Sequence, residues 1–270
     1  MATTPAARSC GVPMTDTTIT LIGGPTVLIE TGGFRLLTDP TFDPPGEYKL
    51  PHVTLKKTAG PAVTTEQLGK VDAVLLSHDQ HADNLDHSGR AFLTAADRVL
   101  TTIAGAKRLQ GRAEGLVPWE TTRLSKPDGR SLDITAAPAR HGPAGIEPLA
   151  GDVIGFLLTF ANAQRGALYI TGDTVWYDGV AEVARRFPAS IVVLFAGAAQ
   201  TRGRFHLTMD TNDAIETAHA FPDAVIVPVH HDSWAHFTQD RNDLEQAFRA
   251  LSIGTRLRFL EPGVATRIAP

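Results

Sequence analysis

The stretch Val71-Asp72-Ala73-Val74-Leu75-Leu76, followed at once by Ser77-His78-Asp79-Gln80-His81-Ala82-Asp83-Asn84-Leu85-Asp86, decides the fold and points to the chemistry. The first six residues form an apolar run of strand length, which indicates a buried β-strand. The next ten hold two histidines and three carboxylates. Imidazole and carboxylate bind Zn²⁺, Mn²⁺ or Fe²⁺, and a strand end holds them more rigidly than a free loop would. The stretch therefore predicts a metal-binding loop at the end of a core strand.

Three further apolar runs end in side chains of the same kind, at His141, at Asp173 and at the pair His230-His231. Each has an ordinary alternative: His141 as a turn residue, Asp173 as a helix N-cap, and the pair as one buried and one solvated histidine. Adjacent residues of an extended segment point in opposite directions, so at most one of the pair faces a metal; His230 continues the strand and is preferred. Four such strand ends in one chain together predict a shared metal site.

The order of the remaining elements indicates two sheets with helices outside. Period-two apolar runs split by glycine pairs over residues 18–38 predict an antiparallel meander. Five prolines from Pro40 to Pro61 predict a long irregular loop, of the kind that often forms a lid or a binding loop. Residues 153–160 and 167–171 predict a hairpin with its turn at 162–166, and residues 256–260 predict a last strand.

No internal repeat or linker divides the chain of 270 residues. We expect a flexible leader over residues 1–16 and a single domain over residues 17–270. A net charge of −4 gives no basic surplus for nucleic acid, and no apolar stretch approaches the ~18 residues of a membrane span. Cys10, the one cysteine, excludes an internal disulfide and fits a reducing compartment. The expectation is a cytoplasmic protein without nucleic-acid or membrane partners.

Taken in order, these motifs resemble those of the metallo-β-lactamase superfamily, and within it the branch of L-ascorbate-6-phosphate lactonase and related metal-dependent hydrolases. The resemblance runs from about Thr18 to the chain end. It rests on five motifs, Leu37-Thr38-Asp39-Pro40, Ser77–Asp83, His141-Gly142, Thr171-Gly172-Asp173-Thr174 and Pro228-Val229-His230. It implies an α/β fold, a four-layer αβ/βα sandwich of two mixed sheets with outer helices, and a site along one edge of that sandwich.

The resemblance also implies a ligand set. The family's loop reads His-x-His-x-Asp-His, whereas this chain reads His78-x-x-His81-x-Asp83-Asn84. The first position falls on His78 if the loop bulges by one residue, and on Asp79 by spacing alone; we prefer His78 because a bulge at a strand end is inexpensive. The implied first site is His78, His81 and His141. The implied second site is Asp83, His230 and the bridging Asp173.

Asn84 stands where the family has its last histidine. An amide is a poorer metal ligand than imidazole, so the second site is weak, vacant or completed by another residue, for which His206 and His231 are the candidates. Asp39 is expected to accept a hydrogen bond from a ligand histidine, although Asp before Pro is also an ordinary turn. The residues expected in the substrate pocket are Trp234, His236 and Arg140.

The implied activity is that of a metal-dependent hydrolase with one or two divalent ions, Zn, Mn or Fe. A metal-bound hydroxide would attack a small lactone, ester or phosphoester, while Asp83 or Asp173 orients the water and passes a proton. The chain has no Gly-x-Ser-x-Gly motif for a serine nucleophile, which agrees. The alternative is a single-metal or non-catalytic metal-binding or ligand-sensing protein of the same fold. A homo-oligomer is compatible with both.

Overall fold

The computed structural model describes residues 17–160 and 166–269. The predicted leader, Cys10 and residues 162–165 of the predicted turn lie outside these ranges. The strands of the described ranges are β1 (Thr17–Gly23), β2 (Thr26–Thr31), β3 (Phe34–Thr38), β4 (Gly46–Lys49), β5 (Thr54–Lys57), β6 (Val71–Leu75), β7 (Ala96–Thr102), β8 (Ala113–Leu116), β9 (Thr121–Ser125), β10 (Ser131–Pro138), β11 (Ile154–Thr159), β12 (Ala167–Ile170), β13 (Ala189–Phe195), β14 (Val225–Val229) and β15 (Thr266–Ile268). The α-helices of the same ranges are α1 (Thr65–Leu68), α2 (His87–Phe92), α3 (Ile103–Leu109), α4 (Glu147–Ala150), α5 (Asp178–Arg186), α6 (Thr211–Ala220) and α7 (Arg241–Ala250).

Two mixed sheets form the centre of the molecule. The first has the strand order β15-β1-β2-β3-β6-β7-β8, and the second has the order β14-β13-β12-β11-β10-β9. In the first sheet, β3, β6, β7 and β8 pair in parallel; in the second, β12, β13 and β14 do. Because parallel strands end at the same sheet edge, the residues that follow β6, β12 and β14 are brought to the edges of their sheets together.

Strand β13 shows why the molecule has four layers. All seven of its residues are buried. Ile191 and Val193 belong to the core between the two sheets, whereas Val192 and Leu194 belong to a second cluster with residues of the outer helices. Alternate residues of a strand point to opposite faces, so a continuous apolar run is expected where both faces are covered.

The outer helices cover the sheets with amphipathic faces. Val180 and Val183 of α5, and Leu244 and Phe248 of α7, are buried at the three- and four-residue spacing that places side chains on one face. On the first sheet, a third cluster joins strand residues to Phe92 of α2. These layers confirm the predicted αβ/βα sandwich. We propose one domain over residues 17–270 because the two sheets share one core.

Two local predictions are wrong. Within the predicted irregular loop, β4 and β5 pair antiparallel from Gly46↔Lys57 to Lys49↔Thr54, and the buried Lys57 of β5 is held by its ion pair with Asp86. The five prolines lie before the hairpin, in its tip and after it, where no ladder donor is required. The predicted last strand over residues 256–260 begins as a 3-10 turn and makes one isolated bridge, Ile226↔Leu257. The last strand of the described ranges is β15 instead, which pairs antiparallel with β1.

No helix of the described ranges combines the length and the apolar character that crossing a membrane would demand.

Candidate metal centre

The loop that follows β6 is held at both of its ends. At its start, the Ser77 amide and hydroxyl donate to the carboxylate of Asp39, at 2.6 and 2.8 Å. At its end, Asp86 caps α2 by accepting from the Gly89 amide at 2.8 Å and forms a buried ion pair with Lys57, also at 2.8 Å. A loop fixed at two ends presents its side chains in one arrangement.

Three histidines converge at this loop, and we call His78, His81 and His141 the histidine group. Nδ1 of His81 lies 2.8 Å from Nε2 of His78 and 3.1 Å from Nε2 of His141. The outward nitrogens have other contacts: Nδ1 of His141 lies 2.8 Å from the Leu207 carbonyl oxygen, and Nδ1 of His78 lies 2.9 Å from Oγ of Ser77. Such contacts orient an imidazole and leave its other nitrogen for a metal.

Two members of the histidine group, His78 and His81, are neutral near pH 7. Burial lowers the pKa of His78 well below its ordinary value, and the neighbouring His81 and His141 lower it further. Burial, followed by the charge of His141, lowers the pKa of His81 to about 4. Neutral imidazole is the form that binds a metal ion. Both side chains therefore carry free lone pairs at physiological pH.

A second cluster, the acidic group, consists of Asp83, Asp173 and His230. Nε2 of His230 lies 3.4 Å from Oδ1 of Asp173 and 3.6 Å from Oδ2 of Asp83. Asp173 also reaches the histidine group, since its Oδ2 lies 3.8 Å from Nε2 of His141. Within each group, the ligand-type atoms lie within 4.8 Å of one another. The two groups thus form one continuous cluster with Asp173 between them.

The acidic group is ionised. Burial opposes ionisation of Asp83 and Asp173, but contacts with His230 outweigh it and lower the pKa of both carboxyls. His236 contributes to the lowered pKa of Asp83. Burial opposes protonation of His230, and the charges of Asp173 and Asp83 nevertheless raise its pKa to about 10. The acidic group is therefore a buried site of negative charge that attracts a cation.

The donor set fits a divalent metal ion. Among the described residues, both carboxylate oxygens of Asp173 and both ring nitrogens of His230 are buried without a hydrogen-bond partner. Buried polar atoms without partners are costly, and carboxylates are especially so. Carboxylate oxygens beside imidazole nitrogens are the ligands that Zn²⁺, Mn²⁺ and Fe²⁺ accept. A bound cation would satisfy these atoms together.

Unusual backbone conformations aim two of these side chains. Gly172 has φ of +62°, and a Cβ there would lie 2.7 Å from the carbonyl oxygen of Ile154, so the turn before Asp173 requires glycine. His230 has φ of +58°, which residues with a Cβ adopt rarely. Its amide donates to the Gly24 carbonyl at 2.9 Å, which holds this conformation. Strain of this kind is concentrated at functional sites.

Asn84 and Asp39 lie beneath the cluster. Nδ2 of Asn84 donates to Oδ2 of Asp39 at 3.2 Å. Burial, then the charge of Asp173, raises the pKa of Asp39 to about 7, against the lowering effect of Ser77 and Asn84. The expected direct bond from Asp39 to a ligand histidine is replaced by a contact through the Ser77 hydroxyl, which touches both Asp39 and His78.

Three other residues named from the sequence lie outside both groups. Asp79 accepts from the Arg108 guanidinium, with Nε 2.9 Å from Oδ2 and Nη2 2.5 Å from Oδ1. Nδ1 of His206 lies 2.9 Å from Oδ2 of Asp210. The ring of His231 meets Phe259 edge-on, with centroids 5.7 Å apart. Partners elsewhere in the fold turn all three side chains away from the cluster.

A cavity of about 200 Å³ opens over the two groups. Its floor includes His81, Asp83, His141 and His236. Its walls come from the tip of the β4–β5 hairpin, from α4, from the loop after β13 and from Leu207. The wall residues are Leu50, Pro51, His52, Val53, Leu55, Gln80, Leu149, Ala150, Ala199, Thr201, Arg202 and Leu207. The cavity is small and largely apolar, with the ligand-type side chains at its base.

Of the three predicted pocket residues, His236 alone is part of this lining. Trp234 is buried and packs on Tyr48, with centroids 5.3 Å apart. The guanidinium of Arg140 lies 4.5 Å from the ring centroid of Tyr177 and borders a different depression. From the sequence, Arg202 is a candidate contact for a phosphate or carboxylate, whereas sequence reasoning did not assign the residues of the hairpin tip to the pocket. Residues 54–57 read Thr-Leu-Lys-Lys, and the buried Lys57 is charged, so no apolar alternation in the sequence signals the hairpin.

Comparison with known proteins agrees with this geometry. The family model for the β-lactamase superfamily domain matches residues 34–231. The UPF0173 protein YddR of Bacillus subtilis (strain 168) is 26% identical over 261 residues, which cover 91% of this chain and 97% of YddR. A UPF0173 metal-dependent hydrolase of Staphylococcus saprophyticus is 24% identical over 251 residues, covering 89% of this chain and 95% of that protein. Such names confirm the predicted enzyme class, whereas the lactonase branch stays a prediction.

Solved structures share the fold. An isothiocyanate hydrolase from Delia radicum gut bacteria has a TM-score of 0.78 at 24% identity, and the alignment covers 94% of this chain and all (100%) of that one. Igni18, a metallo hydrolase of Ignicoccus hospitalis, has a TM-score of 0.67 at 18% identity, with 93% of this chain and 98% of that one covered. Because the family model spans most of the chain and includes every member of the histidine and acidic groups, this chain belongs to the β-lactamase superfamily.

Proposed function

We propose that this protein is a metal-dependent hydrolase that splits a small lactone, ester or phosphoester with water. The observation that carries the proposal is the cluster itself, in which six ligand-type side chains from four separate strand ends converge under one cavity. Buried atoms of Asp173 and His230 without hydrogen-bond partners among the described residues support a bound cation.

The histidine group would hold one divalent ion, and the acidic group would hold a second ion that shares Asp173 with the first. When bound, such ions activate water and polarise a carbonyl or phosphoryl oxygen. The choice of His78 over Asp79 as first ligand is supported by the bidentate contact of Asp79 with Arg108. The bulge considered for this loop would then aim His78 inward.

The two carboxylates are suited to different tasks. Asp83 lines the cavity and is 6% exposed, whereas Asp173 is fully buried at 0% and lies between the two groups. A proton acceptor must lie within hydrogen-bond reach of the water that attacks, so we assign proton transfer to Asp83. Asp173 would fix the relative positions of the two groups.

The cavity limits the substrate. Its volume of about 200 Å³ admits a small molecule, and Leu50, Val53 and Leu149 offer apolar contacts to a ring or short chain. Arg202 is a permanently charged wall residue, and its charge contributes to the lowered pKa of His81. An anionic or strongly polar group of the substrate would face this guanidinium. A cytoplasmic location and a homo-oligomeric state stay predictions.

The experiment removes metal with a chelator and then adds back Zn²⁺, Mn²⁺ or Fe²⁺ separately. Metal content is measured by mass spectrometry, and hydrolysis is followed with a γ-lactone, a phenyl ester and a phosphodiester. An isothiocyanate joins the panel because the structural neighbour from Delia radicum gut bacteria is named for that substrate. We expect metal-dependent turnover of a lactone, ester or phosphoester.

Two outcomes would contradict the proposal. Metal binding without turnover of any substrate would favour the ligand-sensing alternative. Turnover that survives complete metal removal would rule out a metal-dependent mechanism. The variant His206→Asn is the matched control, since His206 contacts Asp210 and belongs to neither group.

A further inference from the structure

We infer that His236 supplies to the acidic group the imidazole that Asn84 does not supply, and so completes the second metal site. The inference rests on the proposed metal-dependent function. It concerns a residue six positions after His230, on a different loop from Asn84. The sequence had suggested His206 or His231 for this task.

The amide nitrogen of Asn84 is directed to Asp39, and its Oδ1 has no hydrogen-bond partner among the described residues. The residue is fully buried, and its Nδ2 donates to Oδ2 of Asp39 at 3.2 Å. That carboxylate is itself fixed by the amide and hydroxyl of Ser77. Asn84 therefore helps to hold Asp39 beneath the cluster. Although it is next to Asp83 in sequence, it has no imidazole to offer the acidic group.

His236 instead points into the acidic group. Its Nε2 lies 2.9 Å from Oδ2 of Asp83, the same oxygen that Nε2 of His230 approaches at 3.6 Å. Two imidazole nitrogens and a carboxylate oxygen thus converge from two separate loops. A common cation is the occupant that would bind all three at once.

The surroundings of His236 hold its ring in place. The ring packs on Phe237, with centroids 4.7 Å apart, and its side chain is 8% exposed. The backbone is tied on both sides, because the Gln200 amide donates to the His236 carbonyl at 3.1 Å and the Ala235 amide donates to Lys56 at 3.0 Å. A ligand that is positioned before metal arrives loses little entropy on binding.

The rival histidines are already committed. His206 contacts Asp210 at 2.9 Å, and the ring of His231 packs against Phe259. Nδ1 of His236, by contrast, is buried without a hydrogen-bond partner among the described residues. Among the described histidines outside the two groups, His236 is thus the one that contacts a carboxylate of these groups.

The test uses Co²⁺ as the probe and measures binding by equilibrium dialysis rather than by turnover. The full chain should bind about two equivalents of Co²⁺, as expected of a two-site cluster. His236→Asn should retain the first equivalent and weaken the second by at least about 10- to 100-fold, the range seen when groups supporting a metal are removed. The control His206→Asn should bind as the unaltered chain does.

A second variant tests direct ligation. His236→Cys, made in a Cys10→Ser background so that it carries the sole thiol, replaces imidazole with another metal ligand. We expect a sulfur-to-cobalt charge-transfer band that appears with the second equivalent. This readout requires a bond from residue 236 to the metal, which a structural role would not give.

Unchanged binding of both equivalents by His236→Asn, or a His236→Cys protein that binds two equivalents without the band, overturns the inference. Loss of turnover with both affinities unchanged would make His236 a proton-transfer group instead. Failure of the full chain to bind any metal would overturn the proposed function itself, and the two failures are therefore distinguishable. Far-ultraviolet circular dichroism checks that each variant is folded.

Discussion

The histidine group and the acidic group lie side by side, but the protein holds them differently. Ring nitrogens of His78 and His141 that face away from the group contact Ser77 and Leu207. In the acidic group, the carboxylate of Asp173 and the ring of His230 have no such partner among the described residues. Contacts within the fold therefore orient His78 and His141, whereas Asp173 and His230 lack such contacts, as expected if the proposed cation binds them.

The two groups also differ in charge. The lowered pKa values of His78 and His81 leave these two members of the histidine group neutral. The raised pKa of His230, about 10, places a proton in the acidic group of the metal-free chain. A metal ion must displace that proton, but it displaces none from His78 or His81 near pH 7. The difference teaches that metal binding to the acidic group, if it occurs as proposed, should depend more on pH than metal binding to His78 and His81.

The largest effect is expected from Asp173→Asn, which removes a carboxylate that belongs to the acidic group and also lies beside the histidine group. Asp173 lies 3.4 Å from His230 and 3.8 Å from His141. An amide of the same shape cannot carry the negative charge, so metal content should fall and hydrolysis should drop by at least about 100-fold. Mass spectrometry and initial rates measure the two effects. Asp210→Asn is a control outside both groups, and unchanged metal binding by Asp173→Asn would disprove the shared role.

The second prediction separates His78 from Asp79 as the first ligand. His78→Asn should lose metal from the histidine group and most of the activity. Asp79→Asn should keep its metal, because the carboxylate of Asp79 is directed to Arg108. Loss of that contact should lower the free energy of unfolding by about 1 kcal/mol, since the Arg108 side chain is 45% exposed. Metal analysis and urea unfolding distinguish the two residues. Loss of metal from Asp79→Asn would mean that Asp79, as the family spacing implies, is the first ligand.

Much of this arrangement could be predicted from sequence because the information is local. The apolar run over Val71–Leu75 indicates a strand, and side chains that follow a strand end lie at a sheet edge. The same reasoning applies before Asp173 and His230. Strand β13 is likewise recognisable from sequence, since Ile191–Phe195 is a continuous apolar run, as expected where both faces of a strand are covered.

What could not be predicted depends on contacts between distant residues. Asp79 is turned outward by Arg108, 29 positions along the chain, and His236 meets Asp83 across 153 positions. The periodicity of a segment contains no trace of such partners. The hairpin of β4 and β5 could not be predicted either, since proline density indicates irregular structure, whereas the structure places the prolines before the strands, in the tip and after the strands. The burial of Lys57 in β5 depends on its ion pair with Asp86, 29 positions away.

The third prediction concerns Asp39, which supports both groups from below. Burial raises its pKa from 3.8 to about 7, so between these values the folded chain retains a proton that the unfolded chain releases. The stability contributed by this group is therefore present below about pH 4 and is lost as the pH rises through 7. In metal-free protein, the unfolding free energy relative to Asp39→Asn should fall by up to about 1.4 kcal/mol per pH unit over this range.

The difference between the two proteins isolates Asp39 from other groups. The lowered pKa of His81 gives the opposite slope between about pH 4 and 6.5, but it acts in both proteins. Urea unfolding at several pH values provides the measurement. A difference that does not change with pH would mean that Asp39 is ionised throughout, as it would be if Ser77 and Asn84 outweighed burial.

The smallest effects are expected at the cavity walls, which extend the comparison to the substrate. Leu149 belongs to α4, whose Ala150 packs in one cluster with Leu207, the residue that contacts His141. Leu50 belongs to the hairpin whose Lys56 is hydrogen-bonded to the loop of His236. Each leucine is open to solvent, at 60% and 36% exposure, so a bound alkyl group would cover it. Truncation to alanine should remove about 1 kcal/mol of apolar contact and raise KM by about fivefold without changing kcat.

An alkyl-chain ester and its methyl analogue, compared in both variants, assign the apolar part of the substrate to one side of the cavity. If Leu149→Ala raises KM for the long chain alone, the chain lies over the histidine group; if Leu50→Ala does, it lies over the acidic group. Leu251→Ala, which removes an exposed leucine outside the cavity lining, is the matched control. A fall in kcat at unchanged KM would instead mean that the leucines act in the transition state, because uniform apolar binding changes KM only.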